Sequence, residues 1–311
     1  MVRNDNLHRA KTSKDDEYYT RKEDIENELK HYIRFDVLEE NFKNKIVFCN
    51  CDDPIYSEFW KYFHKNFSAL GIKKLIATHY KSDGNNSYKL EYMGGDDKDI
   101  KSGIKTELNG NGDFRSDECI EILKEADIII TNPPFSLFKE FVEILMKYDK
   151  KFLIIGNKNA VTYKSVFTYI KDGKIKMGIS KPVAFITSDG SITKKTQGLT
   201  RWFTNLSCCR DEEQLDLYCV YSKEKYPFYD NYDAIEVSKV SEIPKDYTGI
   251  MGVPITFVDK YNPKQFEIIG SSDRGGDGFV EDIKKEHNRW DAPVLNGKAV
   301  YTRIFIKRRS E

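Results

Sequence analysis

The sequence predicts an α/β protein: a largely parallel sheet covered by helices on both faces, continued by a mixed, β-rich carboxyl-terminal region. Three observations predict it. Continuously apolar runs of four to six residues alternate with amphipathic helical stretches between residues 40 and 175, and turn-forming residues separate them. From about residue 176 the texture changes to short runs of period-two character, with weak helical signals.

The elements follow in order. Residues 22–35 (KEDIENELKHYIRF) place Ile25, Leu29, Tyr32 and Ile33 at helical spacing with charges between them, which predicts one amphipathic helix. Residues 45–50 (KIVFCN) read as a buried strand ending in the turn formers Asp52, Asp53 and Pro54; residues 57–70 (SEFWKYFHKNFSAL) then align Phe59, Trp60, Phe63, Phe67 and Leu70 on one helical stripe. The unit recurs: KLIAT at 74–78, DIIIT at 127–131 and KFLIIG at 151–156 read as strands, with helices at 118–125 and 137–147. Between them, residues 82–112 form a polar, glycine-rich insertion in which YKLEYM and IKTEL are suited to pair as a surface hairpin. Later runs (KPVAFIT, QLDLYCVY, VPITFV, QFEIIG, and AVYTRIFIK after an Asn296-Gly297 turn) read as strands. The expected division is an amino-terminal helix at 1–39, an α/β core at 40–175 and a region at 176–311 that ends the sheet and builds on it.

Composition narrows the classes. The 311 residues suffice for a large catalytic fold with an appended region, and 50 basic residues balance 50 acidic ones, so any surface attracting phosphates must be local. The start, MVRNDNLHRAKTSKDDEYY, lacks the apolar core of a signal peptide, and no later apolar run approaches a membrane span; the expectation is a cytoplasmic protein. Cys49, Cys51, Cys119, Cys208, Cys209 and Cys219 include no C-x-x-C pair and no zinc spacing, so they read as reduced thiols and no metal site is expected. Strand alternation puts Cys49 and Cys51 on one face, as core packing.

Chemistry concentrates in Asn132-Pro133-Pro134-Phe135, directly after DIIIT and directly before the helix SLFKEFVEILM. In an open parallel sheet that is the carboxyl end of a strand, where ligands bind. An aromatic amine is a poor nucleophile because its lone pair is delocalised into the ring. The Asn132 side-chain oxygen and the Pro133 carbonyl can each accept one of its N–H groups and localise that pair. Two prolines restrict the loop before the substrate arrives, and Phe135 offers a face for stacking. Asn-Pro-Pro alone is also an ordinary turn; the preceding strand, the following helix and the aromatic fourth residue favour catalysis.

The motif TNPPF resembles the catalytic motif of amino-methyltransferases, and its surroundings resemble the EcoRI-type adenine-specific DNA methyltransferases. DEYYT, IVFCNCDDP, NGDFRS, ADIIITNPPFSLFKEF, RWFTNL and MGVPITFVDKYNPKQFEIIG carry the likeness over nearly the whole chain. The resemblance implies a Rossmann-like sheet that binds S-adenosylmethionine and transfers its methyl group to the exocyclic amine of a flipped adenine. It implies Asn132, Pro133, Pro134 and Phe135 as catalytic residues, and a cofactor pocket drawn from Tyr19, Thr20, Asn50, Asp52, Asp113 and Phe114.

Within that pocket the residues differ in weight. The loop after the first strand, CNCDDP, has the expected acids but lacks the usual glycines; Asp52 is the favoured contact, and the acids also suit a helix N-terminus with Pro54 in its first turn. Asp113 and Phe114 match an acid that accepts from the cofactor's adenine amine and a ring that packs on it, or a glycine-led turn with an Asp cap. Tyr18, Tyr19 and Thr20 resemble a cofactor motif and equally suit a hydrophobic staple onto the first helix. LIATHY offers His79 and Tyr80 but no carboxylate for the ribose, and that contact stays unassigned.

Double-stranded DNA is the implied partner, held by Lys194, Lys195, Arg201, Arg274 and the basic tail at 307–309. Sequence recognition is expected after residue 176, in a monomer that leaves room for a cognate restriction endonuclease. Trp202 and Phe203 suit either a stack on the flipped base or the core, with the core favoured. Two rivals remain: an amino-methyltransferase acting on RNA or protein, and a non-catalytic nucleic-acid-binding protein on the same fold. A nucleotide hydrolase is excluded by the absence of a G-x-x-x-x-G-K-[ST] loop.

Overall fold

The computed structural model describes residues 19–51, 53–81, 87–187, 190–195, 197–272, 283–285 and 292–309, which leaves the sequence candidates Tyr18, Asp52 and Arg274 outside the described residues. The chain divides into two compact units, residues 1–160 with 177–209, and residues 161–176 with 210–311. Both differ from the expected 40–175 and 176–311 division, because the chain leaves the first unit at 161 and returns to it at 177.

In the first unit the elements are β1 (Tyr19–Thr20), α1 (Lys22–Leu29), α2 (Phe35–Asn41), β2 (Ile46–Cys49), α3 (Glu58–Lys65), α4 (Phe67–Leu70), β3 (Lys74–His79), β4 (Tyr88–Tyr92) and β5 (Ile104–Glu107). They continue with α5 (Asp117–Glu125), β6 (Ile128–Thr131), α6 (Phe138–Lys147), β7 (Lys151–Asn157), β8 (Lys176–Met177), β9 (Phe185–Ile186), β10 (Ile192–Thr193) and β11 (Thr200–Thr204). The large sheet runs β5-β4-β3-β2-β6-β7-β11-β8. Its centre, β3-β2-β6-β7, is parallel, and β4, β5 and β11 are antiparallel to their neighbours.

The central strands are apolar throughout because both faces are covered. Val47, Leu75, Ile128, Ile130, Leu153 and Ile155 join α1 and α3 in one core cluster, while Phe48, Ile76, Ile129, Phe152 and Ile154, of opposite phase, are equally buried. Each such side chain contributes on the order of 1.5–3 kcal/mol. On the second face, Phe138 of α6 meets Phe203 with ring centroids 4.9 Å apart and lies over Gly156, where an added Cβ would come within 2.3 Å of its ring. Only glycine lets the helix after β6 approach β7 this closely.

Four expectations are corrected. The helix predicted over 22–35 breaks after Leu29: Tyr32 N bonds to Leu29 O at 2.9 Å, and the Asn41 side chain captures Tyr32 O at 3.0 Å. That break keeps Tyr32 buried, its hydroxyl on Glu28 at 2.8 Å. Likewise Asn66 divides the stripe at 57–70 into α3, capped by the Ser57 hydroxyl, and α4, closed by Gly71 in the left-handed region. The strands of the insertion pair with each other as expected, but β4 also pairs with β3, so they form the edge of the large sheet. Cys49 is buried, whereas Cys51 leaves the strand with a φ of 69° and is half-buried, so the two do not share a strand face.

The second unit contains α7 (Lys164–Lys171), β12 (Ile235–Glu236), β13 (Met251–Pro254), β14 (Phe266–Ser271), β15 (Val294–Leu295), β16 (Lys298–Ala299) and β17 (Arg303–Arg308). A four-stranded sheet runs β12-β13-β17-β14, and β15 and β16 form a hairpin whose turn, Asn296-Gly297, takes the two positive φ values that a two-residue hairpin needs. QLDLYCVY forms no strand: the Gln265 side-chain amide pairs with both backbone groups of Leu215, at 2.7 and 2.8 Å, in place of a neighbouring strand. VPITFV is strand only to Pro254 and then a 3-10 turn, Ile255–Lys260.

Glu236 of β12 lies inside this unit, 6% exposed, and accepts both Arg303 Nη2 at 2.7 Å and Arg303 Nε at 3.0 Å, with the Tyr229 hydroxyl as a third donor. Burial and the Glu236 carboxylate push the Tyr229 hydroxyl far above the usual tyrosine range. Removing one member strands a buried charge. Arg303→Met is expected to destabilise the protein by about 3–5 kcal/mol, read as a lowered urea midpoint; an unchanged midpoint would show that the pair adds nothing.

Candidate active site

Parallel strands β2 and β6 are adjacent, but the chain reaches β3 from β2 on one side and β7 from β6 on the other. Their carboxyl ends therefore open a crevice at a topological switch point. Two asparagines flank it, Asn50 directly after β2 and Asn132 directly after β6, and the Thr131 hydroxyl donates to Asn50 O across the gap. Asn132 is 8% exposed with its Oδ1 buried. Pro134 follows with φ −55° and ψ 126°, its carbonyl taken by Leu137 N at 3.0 Å, so a 3-10 turn over Phe135–Leu137 leads straight into α6. The expected strand, rigid turn and helix are thus all present.

Phe135 is half-buried, packs on the large core cluster and meets Phe185 edge-on at 6.3 Å. Phe185 is brought there by the segment at 178–186, which hangs from buried acids on α1: Glu28 accepts Ile179 N at 2.8 Å and Ser180 N at 2.6 Å, and Asp24 accepts Val183 N at 3.2 Å. The same segment carries β9, which pairs Thr20 with Phe185 and Tyr19 with Ile186. Directly opposed residues share a sheet face, so Thr20 points to the side of Phe185 and Phe135, and Tyr19 points away, with its ring 6.2 Å from Tyr56. The Thr20 hydroxyl is buried and has no hydrogen-bond partner.

The loop after β2 explains its missing glycine. Cys51 takes a φ of 69°, the left-handed conformation a glycine would supply. Neighbouring Asn50 is 1% exposed, and neither its Oδ1 nor its Nδ2 has a hydrogen-bond partner. Asp53 closes the following turn, accepting Ile55 N at 2.9 Å, and also faces the Tyr88 hydroxyl at 3.3 Å and His79 Nε2 at 3.5 Å. Burial, then the Asp53 charge, pushes the Tyr88 hydroxyl well up. His79 Nδ1 is buried and unpartnered at the carboxyl end of β3.

Gly112 holds the third loop against this strand end: its φ is 77°, and an added Cβ would lie 2.4 Å from His79 O. Asp113 follows, gripped by Arg115 through Nε at 2.9 Å and Nη2 at 2.6 Å, an arrangement that lowers the carboxyl from the usual range. Arg115 also reaches Glu140 of α6 at 3.1 Å, and Phe114 is buried edge-on against Phe141 at 5.0 Å. The alternative reading of this loop as an Asp-capped turn is also realised, since Arg115 N bonds to Asp113 Oδ1 at 2.9 Å.

Of the basic candidates, Lys194 and Lys195 are exposed and Arg201 is half-buried with Nη1 on Thr200 O at 2.8 Å. In the second unit Lys307 and Arg309 are exposed, with Arg309 Nε on Pro263 O at 2.7 Å. Trp202 and Phe203 are fully buried core residues, as favoured. Sequence reasoning missed Phe185, Tyr56 and the grouping of Asp53 with His79 and Tyr88; only the tyrosine in IYSEF and the phenylalanine in KPVAFIT signalled them. Among the described residues no helix is long and apolar enough to cross a membrane, and no cluster of ligating side chains could hold a metal ion.

The asparagine–proline turn thus stands at a switch point, beside aromatic rings and buried unsatisfied polar groups, as a ligand-binding edge of an open sheet does. A family model described as adenine-specific methyltransferase EcoRI matches residues 6–309. The chain is 42% identical to the type II methyltransferase M.EcoRI of Escherichia coli over 338 residues, 97% of this chain and 96% of that one. It is 38% identical to M.MgeORF184P of Mycoplasma genitalium and 39% identical to M.MpnI of Mycoplasma pneumoniae, over 97% of this chain and 98% of each relative. No solved structure matches. The chain belongs to the EcoRI-type adenine-specific DNA methyltransferases.

The left-handed Cys51 permits a direct test. Cys51→Gly is expected to leave stability unchanged or raise it by up to about 1 kcal/mol, whereas Cys51→Val, branched at Cβ, should cost about 1–2 kcal/mol. Urea unfolding of both variants decides; a valine variant as stable as the parent would remove the strain.

Proposed function

We propose that the protein binds S-adenosylmethionine across the carboxyl ends of β2 and β3 and transfers its methyl group to the amine of an adenine flipped out of double-stranded DNA. The observation that carries this reading is the set of buried, unsatisfied polar atoms at that edge: both side-chain atoms of Asn50, the Thr20 hydroxyl and His79 Nδ1. Each such group costs about 1–3 kcal/mol without a partner, so a polar ligand that satisfies them fits the site. The sheet is then a Rossmann-like methyltransferase sheet, and the β-rich second unit is the candidate for reading DNA sequence.

When bound, the cofactor supplies a methyl group activated by a sulfonium leaving group. Asn50, Asp52, Asp53 and His79 would hold its amino-acid and ribose portions, with Tyr19 and Thr20 beside them; Asp113 and Phe114 would take its adenine. Arg115 N and Nε occupy Asp113 Oδ1 and Nη2 takes one lone pair of Oδ2, which leaves Oδ2 one site for an amine. Asn132 and the Pro133 carbonyl accept the two N–H groups of the target amine, so its lone pair points at the methyl carbon, and Phe135 and Phe185 enclose the ring. With both N–H groups accepted there, the amine would give up one proton to water on being methylated. Lys194, Lys195 and Arg201 are proposed to hold phosphates beside the flipped base. A cytoplasmic monomer that protects the site of a restriction endonuclease completes the proposal.

Incubation with labelled S-adenosylmethionine and separate DNA, RNA and protein substrates, followed by nucleoside analysis and sequencing of modified positions, tests the substrate. Label confined to RNA or protein would overturn it. Asn132→Ala is expected to abolish turnover while S-adenosylhomocysteine still binds; near-normal methylation would exclude its role. Asp113→Ala should act mainly on cofactor affinity, by roughly tenfold, the worth of one hydrogen bond to a charged group, measured by calorimetry; an unchanged dissociation constant would refute that contact.

A further inference from the structure

The catalytic turn meets the target amine with two acceptors, the Asn132 amide oxygen and the Pro133 carbonyl, and an adenine held that way still presents three ring nitrogens that are themselves acceptors. A closed pocket for that base needs a donor. The order of strands divides the carboxyl edge at Asn132: β2 and β3, with the loop of Asp113, lie to one side, and β7 and β11 to the other. The unsatisfied groups on the first side, Asn50 and His79, belong to the cofactor half.

On the second side stands Thr200, the first residue of β11, fully buried, its Oγ1 without a hydrogen-bond partner. Register fixes its height. Thr131, the last residue of β6, pairs with Ile154, and Thr200 pairs with Asn157, three residues further on, so Thr200 lies at the carboxyl edge beyond the end of β6, two strands away. At about 4.8 Å per strand the separation is about 10 Å, the width of a purine with a hydrogen bond at either edge. Its face is also fixed: Thr200 alternates in phase with Trp202, and Trp202 belongs to the core cluster on which Phe135 packs. The exposed turn carrying Lys194 and Lys195 enters the sheet at this residue.

We infer that the Thr200 hydroxyl donates to a ring nitrogen of the flipped adenine and is a specificity-determining residue of the methyl transfer. This rests on the adenine reading above. Of the other unsatisfied buried donors near β11, Trp202 Nε1 lies two residues deeper, opposite Ile155, and the Ser180 hydroxyl lies on the segment after β8 rather than on β11.

The test uses duplexes carrying the methylation site mapped by sequencing, with adenine, 1-deazaadenine, 3-deazaadenine or 7-deazaadenine at the target. The parent enzyme is expected to lose at least tenfold in kcat/KM on one deaza substrate. Thr200→Val should lose a similar factor on adenine, keep the parent affinity for S-adenosylhomocysteine, and show no further loss on that one deaza substrate; Thr200→Ser should recover most of the rate. Equal losses by Thr200→Val on all four duplexes would overturn the inference. So would a parent enzyme indifferent to all three deaza substitutions, a result that needs no variant to fold. Failure to methylate any DNA would instead defeat the adenine reading itself.

Discussion

The site depends on one constraint of connectivity: β2 and β6 are neighbours in a parallel sheet although the chain between them passes through β3, β4, β5 and α5. That adjacency opens the crevice, and the hydrogen bond from the Thr131 hydroxyl to Asn50 O ties its two sides together. A hydroxyl buried between two loop starts has nowhere else to donate, so the bond fixes the spacing of the asparagines before either meets a ligand. The rest is arranged around that pair. Gly156 lets α6 descend onto β7, which sets the angle at which the Pro133-Pro134 turn leaves the sheet, and Gly112 brings the Asp113 loop onto the end of β3.

A second layer of constraint comes from α1. Glu28 accepts two successive backbone N–H groups, Ile179 and Ser180, together with the Tyr32 hydroxyl, and Asp24 takes Val183 N while paired with Arg21. Buried carboxylates satisfied this fully are strong local anchors, because displacing any donor leaves charge unsolvated. Their positional effect is to hang the segment carrying Phe185 and β9 opposite Phe135 and β1. The amino-terminal helix, which sequence pattern marks only as amphipathic, thereby positions one wall of the candidate site.

How much of this was legible beforehand follows from which interactions are local. The runs IVFC, IIIT and KFLIIG announced themselves because strands buried on both faces must be apolar at every position, and TNPPF because a rigid turn needs prolines in sequence. Asn296-Gly297 was readable for the same reason, since its turn demands positive φ. What escaped depends on distant partners. QLDLYCVY alternates correctly, but whether it becomes a strand depends on Gln265, 50 residues away, which satisfies its backbone first. The helix break after Leu29 needs Asn41 to receive Tyr32 O, and the grouping of Asp53 with His79 and Tyr88 needs β3 and β4 to pair. Cys51 is the sharpest case: the sequence lacks a glycine where the loop needs left-handed backbone, and the fold imposes that conformation on a cysteine instead.

That imposition and the unsatisfied groups around it have a common origin. A left-handed non-glycine residue costs of order 1–2 kcal/mol, and each unpaired buried hydroxyl or amide about 1–3 kcal/mol more. Against a net folding stability of roughly 5–15 kcal/mol, several of these within one crevice are a large concession. In the first unit Asn50, His79 and Thr200 lie at the carboxyl ends of the central strands, while His64 Nδ1 and Trp202 Nε1 lie away from that edge; the opposite ends of β2 and β6 are joined by Asp127, whose carboxylate accepts Ile46 N at 2.8 Å. Packing alone would not distinguish the two edges of one sheet. A polar ligand acting on one edge would, because its hydrogen bonds would replace those the folded chain leaves unmade there.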